Sequence, residues 1–268
     1  MEIHLDTKRL DKLANAVEEA GLYAKKQQSK IHRSYKSDGS VITNTDLAIS
    51  ERILSVVSSL FPEANIISEE TLTPFDREAP YTFVLDPIDG TDVYSQGMPS
   101  WAVALGILDK ERKPVGAYIS APRWGIGEDS LFVRLDPGSE LLINGEPWVM
   151  TGNKDNPTQV TLGSGGQRQL DFSNFYGKIR VFGSTILHML APVIYSHIQG
   201  SVTQSCFVWD IAASHAVLLA SGMDIQYVDG NPFVYDDNFM LERKPFSPSF
   251  YAGTEECRKE LARILPSK

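Results

Sequence analysis

Cysteine is scarce. The two in this chain of 268 residues, Cys206 and Cys257, share no metal-type spacing, which argues against a disulfide scaffold or a thiolate zinc site and reads as two free thiols in a reducing compartment. Bases are outnumbered. Twenty-five Lys and Arg against 34 Asp and Glu leave a net charge of −9, which disfavours a nucleic-acid partner, since such binding needs a basic face. No apolar run approaches the roughly 18 residues of a membrane span, and Met1 to Lys8 is polar with no apolar signal core. The expectation is a cytoplasmic protein with no nucleic-acid and no membrane partner. The five histidines, His4, His32, His188, His197 and His215, form no metal-binding motif, and His215 reads as a partly buried, hydrogen-bonded residue on a helix face. Neither a P-loop nor a dinucleotide fingerprint is present. The glycine-rich run Gly163-Ser164-Gly165-Gly166 matches neither pattern and reads as a loop. Low-complexity segments and internal repeats are also missing.

What is present is an ordinary globular composition, 42% hydrophobic and 22% charged, enough for a sizeable core in one or two domains. Leu10, Leu13, Ala14, Val17, Ala20, Gly21 and Ala24 recur at helical spacing. A polar stretch from Lys25 to Gly39 follows. Thr43-Asn44-Thr45-Asp46 is a capping-box pattern that opens a helix ended by Pro62. Strands are predicted at Tyr81–Leu85, Trp101–Leu108, Val115–Ser120, Leu131–Leu135 and Glu140–Ile143, the last closed by an Asn144-Gly145 turn. Further on, Val160–Leu162 and Ile179–Phe182 read as strands. Asp210–Leu219 reads as a helix with Gly222 as its cap, Asp229-Gly230 as a hairpin turn, and Glu255–Ile264 as a last helix. The fold class is α/β, in two layered halves, 1–150 and 151–268, sharing a cleft.

Chemistry concentrates in acids. Asp86-Pro87-Ile88-Asp89-Gly90-Thr91 directly follows the strand Tyr81–Leu85 and sets two carboxylates three residues apart at a strand's C-terminal end, where open α/β sheets place ligands. Pro87 stiffens the backbone between them, and Gly90 allows a ligand to approach it closely. Clustered carboxylates need a counter-charge, and an oxygen-rich site suits Mg²⁺ or Mn²⁺. Glu69-Glu70 after Ile66-Ile67 is a second strand-end acid pair, and Asp210 in Trp209-Asp210-Ile211-Ala212-Ala213 is a third element. Taken singly, each has a plainer explanation: a surface turn, a solvated pair and a helix cap.

Together these segments resemble the inositol monophosphatase family of lithium-sensitive phosphatases. The resemblance runs through Lys36-Ser37-Asp38-Gly39, Val41 to Asp46, Ser68-Glu69-Glu70, Asp86 to Thr91, Leu142 to Gly145, Gly183-Ser184 and Trp209 to Ala213. It implies an αβαβα sandwich and a homodimer inhibited by Li⁺. It implies two or three Mg²⁺ ions per site, with Mn²⁺ as a substitute. Glu69, Asp86 and the carbonyl of Ile88 would hold one ion, and Asp86, Asp89 and Asp210 a second. Thr91 and Asp46 would orient the attacking water with Glu69, and no covalent phosphoenzyme would form. The amides of Gly90 and Thr91 would receive the phosphate, with Gly183 and Ser184 near the leaving group. The substrate would be a small phosphorylated metabolite, such as inositol 1-phosphate.

Two departures bear on the substrate. Inositol-specific relatives carry a glutamate about seven residues before the Trp-Asp aspartate, and here that position is Thr203. Nucleotide-bisphosphate relatives carry a lysine after Asp-Gly-Thr, and here that position is Asp92. A 3′(2′),5′-bisphosphate nucleotidase and a sugar bisphosphatase are therefore the competing enzymes. A metal-binding regulatory protein without catalysis is the competing class.

Overall fold

A computed structural model describes residues 5–125, 127, 130–164 and 166–268. Two positions named above, His4 and Gly165, lie outside the described residues, as do the first three residues of the polar N-terminal segment. The first half of the chain runs α1 (Thr7–Gln27), β1 (Arg33–Tyr35), β2 (Val41–Thr43), α2 (Asn44–Leu60), β3 (Asn65–Ser68), β4 (Tyr81–Asp89), α3 (Thr91–Ser95), β5 (Ala102–Asp109), β6 (Pro114–Ala121), β7 (Leu131–Leu135), β8 (Leu142–Ile143) and β9 (Glu146–Pro147). The second half runs β10 (Gln159–Leu162), β11 (Lys178–Arg180), α4 (Thr185–Ile194), β12 (Gly200–Thr203), α5 (Ala212–Ala220), β13 (Asp224–Tyr227), α6 (Asp237–Met240), β14 (Phe250–Gly253) and α7 (Glu255–Ile264).

Strands β3 to β9 form one seven-stranded sheet in chain order, antiparallel except for the parallel β3–β4 pair. The other large sheet has five strands in the order β11-β10-β12-β14-β13. Side chains alternate across a strand, so a strand buried on both faces is apolar throughout. In β5, Val103, Leu105 and Ile107 face a core shared with α1 and α2, while Ala102, Ala104 and Leu108 face α4 and α5. The five-stranded sheet meets α4 and α5 through Ile225, Phe250 and Ala252. Its other face meets α7 through Val160, Val202 and Tyr251, against Cys257 and Leu261. The layers are thus helices, sheet, helices, sheet, helix, the αβαβα sandwich that the resemblance implied. Gly106 brings α5 hard against β5: a Cβ there would lie 2.8 Å from the amide nitrogen of Ala213.

Several local expectations hold in altered form. The capping box is complete, with Thr43 as N-cap and the Asp46 carboxylate accepting from the Thr43 amide. The polar stretch from Lys25 to Gly39 is not featureless: α1 extends to Gln27, and β1 pairs with β2 as a hairpin. The strand expected over Ile179–Phe182 is instead Lys178–Arg180, because the Phe182 amide donates to His188 Nε2 at 2.7 Å and leaves the ladder. The helix expected from Asp210 starts at Ala212. Ile211 keeps non-helical torsions, and Asp210 occupies the turn before it. No helix among the described residues is long and apolar enough to cross a membrane.

Candidate metal centre

Residues three apart on a regular strand point to opposite faces. Asp86 and Asp89 escape that rule because β4 is bulged between them. The two aspartates are three residues apart, yet their partners on β5, Ala104 and Ala102, are two apart. Pro87, which has no N–H for the ladder, sits inside the irregularity, and the extra residue re-phases the strand. Carboxylate oxygens of Asp86, Asp89 and Asp210 consequently lie within 4.8 Å of one another. Asp210 reaches them from the turn before α5, where its Oδ2 accepts the Phe207 amide at 2.6 Å. Asp89 accepts from the amides at the start of α4, Ile186 at 2.7 Å and Thr185 at 3.3 Å, and from the Ser184 hydroxyl. That hydroxyl also caps α4 by accepting the Leu187 amide at 3.1 Å. Ser184 is therefore placed against a metal-ligand candidate and wholly buried.

Glu69 stands outside this trio, although its charge acts on Asp86. It accepts from Lys36 Nζ at 2.6 Å, and Glu70 accepts from the same nitrogen at 2.7 Å. Burial would lower the Lys36 pKa, but the two glutamates outweigh it and hold the ammonium above the usual lysine range. The same pair leaves Glu69 raised to about 7, because its own burial, with Glu70 and Asp46 nearby, outweighs the single ammonium. Lys36 received no role from the sequence. The signals for it are its place in the Lys36-Ser37-Asp38-Gly39 segment of the resemblance and the need of clustered acids for a counter-charge.

Beside the acids, Thr91 Oγ1 lies 3.1 Å from Asp46 Oδ1 and 2.9 Å from the carbonyl of Ile88. Gly90 precedes α3 with φ +88°, a left-handed conformation that suits glycine. A Cβ there would lie 3.3 Å from the Gly183 carbonyl, so the two glycines form one tight junction. A cavity of about 190 Å³ opens next to it, lined by Gly163, Ser164, Gly183, Thr185, Thr203 and Gln204 among others. The glycine-rich run read as a loop thus supplies part of a wall. A roomier cavity of about 580 Å³, lined by Phe182, Tyr195 and Ile198, contains none of the predicted site residues. His215 bonds Tyr235 Oη and Asp224 Oδ1, each at 3.0 Å, as a buried structural link.

A cation fits this donor set. Asp86 Oδ1 is buried and has no hydrogen-bond partner among the described residues, an expensive state for a carboxylate oxygen. Burial, then mutual repulsion, raises Asp86 and Asp210 well above the ordinary range, and burial raises Asp46 and Asp89 to about 6. A carboxyl whose pKa is higher folded than unfolded binds protons on folding. Its stabilising contribution is present at low pH and is lost as pH climbs through the folded value. For Asp46 and Glu69 the window runs from the unfolded values of 3.8 and 4.5 to the folded values of about 6 and about 7, and Asp86 and Asp210 add to the loss in the same direction. Metal-stripped protein should therefore lose melting temperature across it, on the order of 5 °C. The gain in melting temperature from added Mg²⁺ should grow over the same window, as protons stop competing for the ligands. Thermal melts in chelator and in saturating Mg²⁺ check this, and a Mg²⁺ shift independent of pH would separate the acids from the ion.

The fold and the acid cluster define a class, the metal-assisted hydrolases of phosphate esters. The chain belongs to the inositol monophosphatase family, a family of phosphoric monoester hydrolases whose model matches residues 7–249. It is 31% identical over 209 residues to the Nus factor SuhB of Pasteurella multocida, covering 73% of this chain and 75% of that one. It is 26% identical over 264 residues to the 3′(2′),5′-bisphosphate nucleotidase CysQ of Buchnera aphidicola, covering 92% and 94%. Against a chloroplastic phosphatase of Arabidopsis thaliana, 23% identical over 252 residues and 87% of this chain, it spans 63% of the relative's length. Among solved structures, an IMPase/NADP phosphatase complexed with Mg²⁺ and phosphate has the same fold at TM-score 0.78, with 17% identity and 96% and 95% coverage.

Proposed function

We propose that this chain hydrolyses the phosphate monoester of a small alcohol, inositol 1-phosphate or a similar polyol phosphate, with Mg²⁺ held by Glu69, Asp86, Asp89, Asp210 and the Ile88 carbonyl. What supports it most is Asp86 Oδ1, buried in a cluster of acids with no hydrogen-bond partner among the described residues. Bound Mg²⁺ would supply an acidified water and charge neutralisation for the phosphate and its leaving oxygen. The chain's own groups do the rest. Thr91 Oγ1 has Asp46 Oδ1 and the Ile88 carbonyl as acceptors for its one hydrogen and, donating to Asp46, keeps lone pairs free to accept from the attacking water. Asp46, raised to about 6 by burial, is suited to take a proton near neutral pH. Glu69, bonded to Lys36, orients the same water. The amides of Gly90 and Thr91, at the start of α3, receive the phosphate oxygens. Gly183 borders the leaving-group side, where the cavity wall beside Thr203 carries hydroxyls and an amide rather than a carboxylate, while Ser184, expected there as a substrate contact, is buried and turns its hydroxyl to Asp89.

A bisphosphate nucleotidase is the second reading, and one contact favours it. Asp92 is paired with Arg33 at 2.8 Å, so it is not a bare negative charge facing a second phosphate. Assays of kcat/KM on a panel of esters in Mg²⁺ decide between them. Polyol monophosphates are expected to exceed 3′,5′-bisphosphonucleosides by at least about tenfold, a difference of about 1.4 kcal/mol. The reverse order would establish the nucleotidase, and no turnover of any ester would leave only a metal-binding protein. The same reading carries the homodimer, Li⁺ inhibition, a cytoplasmic location, and two halves meeting near residue 150.

A further inference from the structure

Arg243 belongs to none of the motifs read from the sequence, yet it touches the supports of two metal-ligand candidates. Its Nη2 donates to the carbonyls of Ser68 and Thr71, the latter at 3.0 Å, which closes the turn carrying Glu69 and Glu70. The peptide group between Ser68 and Glu69 is planar and rigid. Arg243 holds its carbonyl end, and the Leu85 carbonyl accepts from its N–H end at 3.2 Å. The peptide leading into Glu69 is thereby fixed at both ends.

The same guanidinium lies over the Trp209 ring, 5.2 Å from its centroid. Trp209 stacks on Phe207 with centroids 4.8 Å apart. Phe207 in turn gives its amide hydrogen to Asp210 Oδ2. One side chain thus joins a turn at the end of the seven-stranded sheet to a turn that follows β12 of the five-stranded sheet.

The backbone at Arg243 supports a selected role. It has φ +52° just after α6, where Lys244 N bonds the Asn238 carbonyl and Glu242 N bonds the Asp237 carbonyl. That is a helix-ending position at which glycine is the easy residue, and any other L residue is strained. The turn itself does not need an arginine. Strain of this kind persists where the surroundings make use of the side chain.

We propose that Arg243 is a positioning residue for the metal centre, setting Glu69 and Asp210 at their working separation by bracing the two turns that carry them. The proposal rests on the metal-centre reading above. Outer partners of metal ligands are typically worth 10–100-fold in affinity.

The test is Arg243→Gly, which relieves the backbone strain while deleting the brace. Titration calorimetry with Mn²⁺ is expected to give a dissociation constant raised at least about tenfold, with the melting temperature in chelator close to wild type. Wild-type binding of Mn²⁺ is the control that carries the metal-centre reading, and the ratio of variant to wild type carries this one. Wild-type affinity in Arg243→Gly overturns the proposal. A lowered melting temperature with unchanged affinity also overturns it, since the role is then structural. Should Arg243→Gly not fold, Arg243→Lys decides in the same way. It keeps the charge but loses the planar group that bridges two carbonyls and lies on the indole. Weakened Mn²⁺ binding supports the brace, and wild-type binding overturns it.

Discussion

Asp210→Asn is expected to lower kcat in saturating Mg²⁺ on the order of 1,000-fold, the scale of losing several kcal/mol of metal assistance. The metal-free protein should be as stable as wild type or slightly more so. Asn is close to isosteric with Asp and keeps a carbonyl oxygen to accept the Phe207 amide, so the turn before α5 survives. Asn removes the negative charge that a hard cation needs. It also removes one member of a repelling group: burial and then Asp89 raise the Asp210 pKa, so relief of that repulsion favours the folded state in chelator. The decisive measurements are a melting temperature in chelator and a kcat in Mg²⁺. Near wild-type turnover would take Asp210 out of the centre and leave only the β4 and Glu69 segments to hold cations. Chelation of the wild type should match or exceed the loss seen in the mutant.

Thr91→Ala should separate aiming from holding. The hydroxyl has two acceptors within reach of its single hydrogen, Asp46 Oδ1 at 3.1 Å and the Ile88 carbonyl at 2.9 Å. It belongs to none of the three carboxylates that converge. Its loss should cost on the order of 100-fold in kcat, the typical cost of misplacing a reacting group, with Mg²⁺ affinity nearly unchanged. Asp46 still accepts the Thr43 amide at 3.0 Å, so the cap of α2 and the fold are retained. Thr91→Ser should recover most of the rate. An alanine variant with undiminished kcat would mean that Thr91 serves only to close the turn into α3.

Much of the candidate site is visible as one-dimensional pattern. Asp86, Asp89 and Thr91 share one short segment after an apolar run, and the capping box at Thr43 to Asp46 is a local device that depends on four residues. Patterns of this range survive in sequence because their physics is local: a proline's fixed φ, a glycine's freedom, a cap's reach. The boundaries that slipped turned on one side chain six residues away and on one residue's torsions, neither of which hydrophobic periodicity carries. The strand near Ile179 ended early because His188 captured the Phe182 amide, and Asp210 stood in a turn because Ile211 left helical torsions.

What the sequence by itself determined is the chemistry on offer: candidate acids, a candidate hydroxyl, and a need for positive charge. Only the tertiary structure decided how that need is met and shared. The bulge in β4 turns Asp86 and Asp89 to one side, and no periodicity reveals it, because it depends on the pairing of β4 with β5. Lys36 reaches Glu69 and Glu70 from 33 and 34 residues away, and Arg243 reaches Ser68 and Thr71 from 175 and 172 residues away. A long, flexible basic side chain meets a distant carboxylate or carbonyl only when the packed core has fixed both backbones. The partners of such side chains are therefore a property of the fold and not of any segment.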